Sequence, residues 1–338
     1  FRKNPVGSGP YKFKSWEVDK EIILEKNNEY WAGKPNFSKV YFIPISDDKE
    51  RLNTVLEEKI DIGLEIDAPL IETVPENNNL NILETKGLSY YYLGFSCNAP
   101  VYKDIRFRKA FYHSIDWESI IQEKFGTYGI SRVFSIIPEV LWPEDHEYLK
   151  SKVLEFNPEK ARKLLNELKN DRIIDESFRP TIYCVNDPHR EEFVATIAHL
   201  FKKNTGITME SYSLPWENLD EKTQKGEVGI FFSAWIDKPD PDFYAYSLLH
   251  GKSPQNDCRY DNFSVNISLL KARSKSEQSF RAIFYKDAVR QALARDYVHI
   301  PLFSISEALV SRKGILNLRI RPNGLFELFY PNGQVSKI

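Results

Sequence analysis

The sequence predicts an α/β protein whose mixed sheets are flanked by helices. From about residue 155 to 300, strand-like runs alternate with amphipathic helical runs, which is typical of an α/β domain. The two outer segments, 1–88 and 301–338, are rich in strand-like alternation and could pack together into one domain. The chain would then leave that domain and return to it. A hydrophobic fraction of 42% supplies enough apolar side chains for such cores.

The N-terminal segment is predicted to consist mostly of strands. Residues 11–16 and 21–26 alternate in polarity on either side of a polar turn, and a third strand is predicted at 40–45. Asp47 or Asp48 then caps a short helix with an apolar face. Further strands are predicted at 60–63, 80–83 and 90–95.

The rest of the chain carries both helical and strand periodicities. Residues 104–121 have apolar side chains at helical spacing and predict one helix. Asn157-Pro158-Glu159-Lys160 is a strong helix start, because it combines a cap, a proline in the first turn and an acidic charge. The remaining predicted elements are strands at 180–185, 207–214, 228–235 and 298–305, and helices at 190–203, 216–225, 264–274 and 277–295.

Composition excludes several classes of protein. The chain has 338 residues, which suggests about two domains. Lys and Arg number 46 against 48 Asp and Glu, a formal net charge of −2, so a nucleic-acid binder with a basic stripe is not expected. The strongest apolar run, Val228 to Ile236, is far shorter than the ~18 residues of a membrane span. No signal peptide is visible and the single methionine is Met209, so we expect a mature or trimmed product.

The sequence contains no recognisable metal or cofactor motif. Its histidines are scattered, without the spacing of a metal-binding helix. Cys97, Cys184 and Cys258 are widely spaced and are most simply small buried side chains. Cys97 and His113 could form a thiol–imidazole pair, but chance pairing of these residue types is far commoner. We therefore expect neither a cofactor nor a metal.

A cluster of carboxylates follows the most apolar predicted strand. Asp240 and Asp242 each adjoin a proline, which explains them as turn and cap residues. Asp237 instead closes the strand, and the ends of such strands are where α/β sheets bind ligands. A carboxylate there is costly to leave unpaired. We expect Asp237 either to form an internal salt bridge or to receive a ligand cation.

Six stretches of the sequence together resemble one protein family, in the family's order. The stretches are 5–13 (PVGSGPYKF), 24–35 (LEKNNEYWAGKP), 59–62 (KIDI), 91–98 (YYLGFSCN), 104–116 (DIRFRKAFYHSID) and 235–243 (WIDKPDPDF). They resemble the extracellular solute-binding proteins of bacterial ABC importers for oligopeptides, dipeptides and nickel, known as solute-binding protein family 5. The resemblance implies a two-lobed, type II periplasmic-binding-protein fold, a Venus flytrap that closes on its ligand.

The resemblance also implies roles for individual residues. Asp237 would bind the α-ammonium group of a peptide. The strand from Ser233 to Trp235, with Ile236 beside it, would pair with the extended main chain of the peptide, an interaction that does not depend on the peptide's side chains. Because Trp235 lies two residues before Asp237 rather than the commoner three, the register of this strand could differ. The other expected ligand-binding residues are Tyr92, Phe95, Asn98 and Phe303.

The resemblance also assigns domains. Residues 1–88 would be part of lobe 1, residues 89–300 lobe 2, and residues 301–338 the return to lobe 1. The family has a long section before the motif that begins here at Pro5, and only four residues precede that position. We therefore expect a C-terminal fragment that lacks the N-terminal section with its smaller domain.

The expected function is binding rather than catalysis. The protein would be the substrate-binding component of an ABC importer, which captures peptides by lobe closure and delivers them to a membrane permease. It would act as a monomer, either in the periplasm or as an extracellular membrane-anchored lipoprotein. A solute-binding-fold sensor domain of a transcription regulator and a nickel-chelate-binding protein stay open as alternatives. A hydrolase built on Cys97 or the aspartate cluster is the third.

Overall fold

The chain folds into two compact units. The computed structural model describes residues 4–66, 68–74, 79–126, 128–330 and 333–337. Unit 1 comprises residues 1–87 and 306–338, and unit 2 comprises residues 88–305. The sequence-predicted boundaries differ from these by one residue at the first crossing and by five at the second. The second differs because the strand that ends at Ile305 belongs to the sheet of unit 2.

The bounds of the elements are as follows. The strands are β1 (Tyr11–Glu17), β2 (Glu21–Lys26), β3 (Lys39–Phe42), β4 (Ile62–Leu64), β5 (Leu80–Thr85), β6 (Tyr90–Phe95), β7 (Ile130–Arg132), β8 (Thr181–Val185), β9 (Glu210–Leu214), β10 (Ile230–Trp235), β11 (His299–Ile305), β12 (Glu307–Arg312), β13 (Ile315–Leu316), β14 (Arg319–Ile320), β15 (Phe326–Glu327), β16 (Phe329–Tyr330), β17 (Gly333–Gln334) and β18 (Ser336–Lys337). The α-helices are α1 (Asp48–Leu56), α2 (Ala68–Glu72), α3 (Ile105–His113), α4 (Trp117–Phe125), α5 (His146–Lys150), α6 (Pro158–Asn170), α7 (Pro188–Thr205), α8 (Trp216–Gln224), α9 (Asp242–Leu249), α10 (Phe263–Arg273) and α11 (Gln278–Arg290). A 3₁₀ turn lies at Pro143–Asp145, and a π-helical turn, Gln291–Arg295, continues α11.

Unit 1 contains two three-stranded sheets. One has the order β1-β2-β3 and is antiparallel throughout. In the other, β12 lies between β4 and β5 and is antiparallel to both. Leu309 of β12 is fully buried and packs with Ile315, Leu318 and Val335. The C-terminal segment therefore supplies the central strand and part of the core of this unit.

Unit 2 is built on one six-stranded mixed sheet. Its strand order is β7-β11-β6-β10-β8-β9. β10, β8 and β9 are parallel, whereas β6 is antiparallel to both of its neighbours, β10 and β11. Because β8, β9 and β10 run in one direction, their carboxyl ends meet at one edge of the sheet. We call this edge the carboxyl edge.

Helices cover both faces of this sheet. Alternate residues of β6 and β10 point to opposite faces. Leu93 and Phe232 lie in one core, with side chains of α3, α4, α6 and α7, while Tyr92 and Phe231 lie in the other, with side chains of α9, α10 and α11. This two-faced burial explains why β10 reads as a continuous apolar run in the sequence.

The prediction of a single helix over 104–121 was wrong. Helix α3 ends at His113 and α4 begins at Trp117. Asp116 caps α4, because its carboxylate accepts hydrogen bonds from the main-chain nitrogen (3.2 Å) and the hydroxyl (2.8 Å) of Ser119. A capping aspartate starts a new helix even where the apolar spacing continues.

We expect Gly94→Ala to destabilise unit 2 by about 1–3 kcal/mol, a typical cost of overpacking a core. A Cβ atom at Gly94 would lie 2.4 Å from the ring of Phe231 and 2.8 Å from the sulfur of Cys258, both buried. Denaturant unfolding followed by circular dichroism measures the change. Gly7→Ala is the matched control, since a Cβ there has no atom within 4 Å. Equal stability of the two variants would contradict the prediction.

Candidate functional site

An open groove lies at the carboxyl edge of the sheet in unit 2. Its volume is about 550 Å³. Its lining residues are Val185, Asn186, Arg190, Pro215, Trp216, Ser233 and Ala234. They come from the ends of β8 and β10, from the start of α8 and from the first turn of α7. Crevices beyond the carboxyl ends of parallel strands are the usual ligand sites of α/β sheets.

The groove opens where β10 and β8 stop pairing. β10 pairs with β6 along its whole length, from Ile230 to Trp235, but with β8 only at Ile230 and Phe231. β8 stays paired with β9 up to Val185. Within the described chain, Ser233–Trp235 therefore have no strand partner on the β8 side. This open edge can accept the main chain of an added strand.

Asp237 follows the open edge by two residues. It is half-buried, and its carboxylate accepts a hydrogen bond from the main-chain nitrogen of Lys238 at 2.8 Å. It forms no ion pair with any residue that the structure describes. The neighbouring ammonium of Lys238 lies over the ring of Phe243, 4.6 Å from its centroid. Of the two outcomes expected from the sequence, an internal salt bridge is absent from the described residues, and the carboxylate is available to a cation.

The other two aspartates of the cluster have protein partners. The carboxylate of Asp240 accepts two hydrogen bonds from the guanidinium of Arg281, at 2.7 and 3.0 Å. Burial alone would raise the pKa of Asp240, but the hydrogen bonds from Arg281 and the main chain of Asp242 hold that pKa below its ordinary value. Asp242 accepts a hydrogen bond from the hydroxyl of Tyr285 at 2.9 Å and lies 3.2 Å from Arg273. These two carboxylates therefore have structural roles.

Arg190 is a groove residue that the sequence did not reveal as functional. Its guanidinium lies 5.9 Å from the ring centroids of both Tyr91 and Phe232. It is half-buried and has no carboxylate partner among the described residues. Its position just after β8, at the same edge of the sheet as Asp237, could have indicated a functional role. Asp187 and Pro188, however, are typical helix-start residues, and they explain this stretch of sequence without a ligand.

Aromatic and apolar side chains border the groove and the open edge. Trp216 at the start of α8 is 58% exposed, and Ile236 is 60% exposed. Trp235 is fixed differently, since its indole nitrogen donates a hydrogen bond to the main-chain oxygen of Phe243 at 3.0 Å. Exposed apolar surface beside unpaired polar groups is typical of a binding site for organic ligands.

The remaining sequence-predicted residues do not reach this groove. Tyr92, Phe95 and Phe303 are 1%, 0% and 0% exposed and lie in the two cores. Tyr92 stacks on His299, with ring centroids 4.4 Å apart. Asn98 is exposed beside Gly226, beyond the end of β6 that lies opposite the carboxyl edge.

The geometry of Cys97 argues against a nucleophilic role. Burial raises the pKa of its thiol to about 11, so the thiolate is scarce at neutral pH. The thiol also has no contact with His113: it donates to the main-chain oxygen of Phe95 at 3.4 Å, whereas Nε2 of His113 has no hydrogen-bond partner among the described residues. In the described part of the chain, no group of three or more potential metal-ligating side chains is found. The same residues include no helix that is long and apolar enough to span a bilayer.

Comparison with known proteins shows to which family the chain belongs. A profile of bacterial extracellular solute-binding proteins, family 5 Middle, matches residues 1–256. The chain belongs to this family. The family consists of solute-binding proteins rather than enzymes, and the recognition made from the sequence motifs is confirmed.

Two curated proteins are similar to this family 5 chain. The oligopeptide-binding protein AppA of Bacillus subtilis is 27% identical over 319 residues, which cover 89% of this chain and 57% of AppA. The heme-binding protein A of Haemophilus influenzae is 24% identical over 292 residues, which cover 84% of this chain and 52% of that protein. The chain therefore spans little more than half the length of these relatives.

The fold is that of type II periplasmic binding proteins, as the resemblance implied. The solved structure of HbpA2 from Haemophilus parasuis superposes with a TM-score of 0.83 at 21% identity. The match covers 99% of this chain and 65% of HbpA2.

The partners of the aspartates predict a difference in stability between two matched variants. We expect Asp237→Asn to change the free energy of unfolding by less than about 0.5 kcal/mol, because it breaks no ion pair. Asp240→Asn should cost about 1 kcal/mol at neutral pH, since its pair with Arg281 is partly exposed. Because the folded-state pKa of Asp240 is lowered, its contribution should disappear as the pH falls through that pKa. Urea unfolding at neutral and acidic pH measures both, and a larger loss in Asp237→Asn would refute the assignment.

Proposed function

We propose that this protein is the substrate-binding component of an ABC importer and that it binds peptides with free termini. The observation that carries the proposal is the open edge of β10, Ser233–Trp235, which is followed two residues later by Asp237, a carboxylate with no ion-pair partner among the described residues. Main-chain groups that lack a strand partner, followed by such a carboxylate, suit the main chain and the ammonium group of an extended peptide. Family membership supports the same class of ligand, because AppA is an oligopeptide-binding protein.

Main-chain pairing supplies the part of the affinity that does not depend on peptide sequence. An extended peptide laid between β10 and β8 would satisfy main-chain groups of Ser233–Trp235 that face the groove. Side chains of the peptide would point alternately to either face of the added strand. Trp216 and Ile236 offer apolar contacts to them without selecting one residue type.

Asp237 would fix the position of the peptide by binding its α-ammonium. A charge-assisted hydrogen bond in a half-buried site is stronger than a neutral one. The carboxylate already has one main-chain donor, Lys238, and keeps acceptor capacity for a ligand. A peptide shifted by one residue would leave the carboxylate of Asp237 and the α-ammonium without each other. The cost of separating these two charges would fix the register of the peptide.

Arg190 would bind a carboxylate of the peptide. It lines the groove from the first turn of α7, the helix that follows β8, and its guanidinium lies beside the rings of Tyr91 and Phe232. A cation that lines the groove and an anion two residues beyond the open edge of β10, neither with a charged partner among the described residues, suit a zwitterionic ligand. For a short peptide, the acceptor would be the terminal carboxylate.

Lobe closure and delivery to a permease complete the proposed transport cycle. The protein would act outside the cytoplasm, in the periplasm or as a membrane-anchored lipoprotein, and as a monomer. The family match to extracellular solute-binding proteins favours transport over a regulatory sensor domain.

Replacement of Asp237 should remove recognition of the peptide amino terminus. We expect Asp237→Asn to weaken binding of a tripeptide roughly 10- to 100-fold, the range for one hydrogen bond to a charged group. The tripeptide is the one retained most strongly from a mixed pool in native mass spectrometry, and calorimetry gives its affinity. The N-acetylated form of the same tripeptide should bind the parent weakly and the variant equally weakly. Unchanged affinity in Asp237→Asn would remove the ammonium site.

Arg190→Gln should weaken binding of the same tripeptide by about 10-fold or more. Amidation of its carboxyl terminus should remove the difference between parent and variant, because the amide has no charge for Arg190 to bind. Arg179→Gln is a control on the same unit, since the guanidinium of Arg179 donates to main-chain oxygens of its own turn. Equal losses for the acid and the amide would show that Arg190 does not bind the carboxylate.

A further inference from the structure

The segment that carries Asp237 is a short loop between β10 and α9. We call residues 236–241 the Asp237 loop. It contains Pro239 and Pro241, whose rings restrict the backbone on the α9 side of Asp237. The carboxylate itself forms no ion pair with a described residue, so the position of Asp237 must be set through its main chain.

A buried hydroxyl holds the main chain of Asp237. Tyr244 is fully buried, and its hydroxyl accepts a hydrogen bond from the nitrogen of Asp237 at 3.3 Å. The same hydroxyl lies 3.2 Å from the main-chain oxygen of Asp237 and 3.0 Å from that of Leu88. Burial raises the pKa of Tyr244 to about 12, so the group keeps the proton that it donates.

Leu88, the other main-chain partner of the Tyr244 hydroxyl, lies where the chain enters unit 2. Leu88 is the first residue of unit 2 and is 1% exposed. It lies two residues before the start of β6, the strand that pairs with β10 along its whole length. The hydroxyl of Tyr244 contacts the main chain of both Asp237 and Leu88. It therefore connects the Asp237 loop to the segment through which the chain enters unit 2.

The far end of the loop has a second anchor. Arg281 on α11 donates to both carboxylate oxygens of Asp240 and lies 3.0 Å from the hydroxyl of Tyr285. A two-pronged guanidinium–carboxylate pair fixes direction as well as distance. Asp240 also caps its own turn, since it accepts from the nitrogen of Asp242 at 2.9 Å.

We propose that Tyr244 and Arg281 are positioning residues that hold the loop so that the carboxylate of Asp237 meets the amino terminus of a peptide bound along the open edge of β10. Neither side chain lines the groove. They act through the loop backbone, one at Asp237 and one at Asp240. This role rests on the proposed function.

The readout is terminal-amine selectivity, defined as the dissociation constant of an N-acetylated tripeptide divided by that of the free tripeptide. Calorimetry on the full-length protein gives both constants for the tripeptide selected by native mass spectrometry. Tyr244→Phe keeps the ring and removes the hydroxyl, and we expect a roughly five- to tenfold fall in selectivity. Arg281→Gln should lower it similarly, and Arg281→Lys should restore part of it.

Two comparisons separate positioning from general loss of stability. A variant that merely destabilises unit 2 lowers both affinities or the active fraction and leaves their ratio unchanged. Tyr260→Phe is the matched control, because Tyr260 is buried in unit 2 and its hydroxyl donates to Asp296, not to the Asp237 loop. On an Asp237→Asn background, Tyr244→Phe should cause no further loss.

The outcomes distinguish this role from the proposed function. If Asp237→Asn removes selectivity while both Tyr244→Phe and Arg281→Gln retain it, the positioning role is wrong and the peptide site stands. If Asp237→Asn retains selectivity, the ammonium site and the positioning role both fall. If Tyr244→Phe does not fold, the ratio measured in Arg281→Gln and its partial recovery in Arg281→Lys decide the matter.

Discussion

The incomplete pairing of β10 is the constraint on which the site depends. A strand in the middle of a sheet normally has both sets of main-chain groups satisfied, and an unsatisfied set is costly when buried. Here β6 satisfies one side throughout, while β8 withdraws after Phe231 to remain with β9. Ser233 and Ala234 thus line an open groove on the side where β8 no longer pairs with β10. The rest of unit 2 keeps β10 in place despite this incomplete pairing, through the two cores that clamp its alternating side chains.

Some charged groups at the site have partners within the protein, and others have none among the described residues. Asp240 and Asp242 lie in the same short segment as Asp237, yet both are bound by cationic or hydroxyl groups of α10 and α11. Asp237 and Arg190 are left without charged partners among the described residues. The fold thus pairs two carboxylates of the cluster and leaves the third accessible to an incoming cation. That contrast could not be read from spacing, because all three aspartates share a similar sequence context.

Much of the fold was predictable from the sequence because its periodicities were clear. β6 and β2 begin and end at the predicted residues, and Asn157 caps α6 as its motif indicated. The break between α3 and α4 was missed because apolar spacing continues through it while a local cap, Asp116, overrides it. At the site, Asp237 was indicated both by strand position and by family motif. Arg190 and Trp216 were not, because their proximity to β10 arises from sheet order, which one sequence does not specify. Tyr92, Phe95 and Phe303 were also expected at the site, but their side chains lie in the two cores, and neither a motif nor a strand position in the sequence specifies how deeply a side chain is buried.

The interrupted path of the chain has a consequence for the order in which its two units can fold during synthesis. Unit 1 receives its central strand, β12, only after all of unit 2 has been made. Until then β4 and β5 lack the partner that lies between them, and their main-chain groups form exposed edges of the kind that recruit other chains. Unit 2, by contrast, is continuous and can fold as soon as β11 emerges. A chain made from its amino terminus can therefore fold the unit that contains the groove before unit 1 has its central strand.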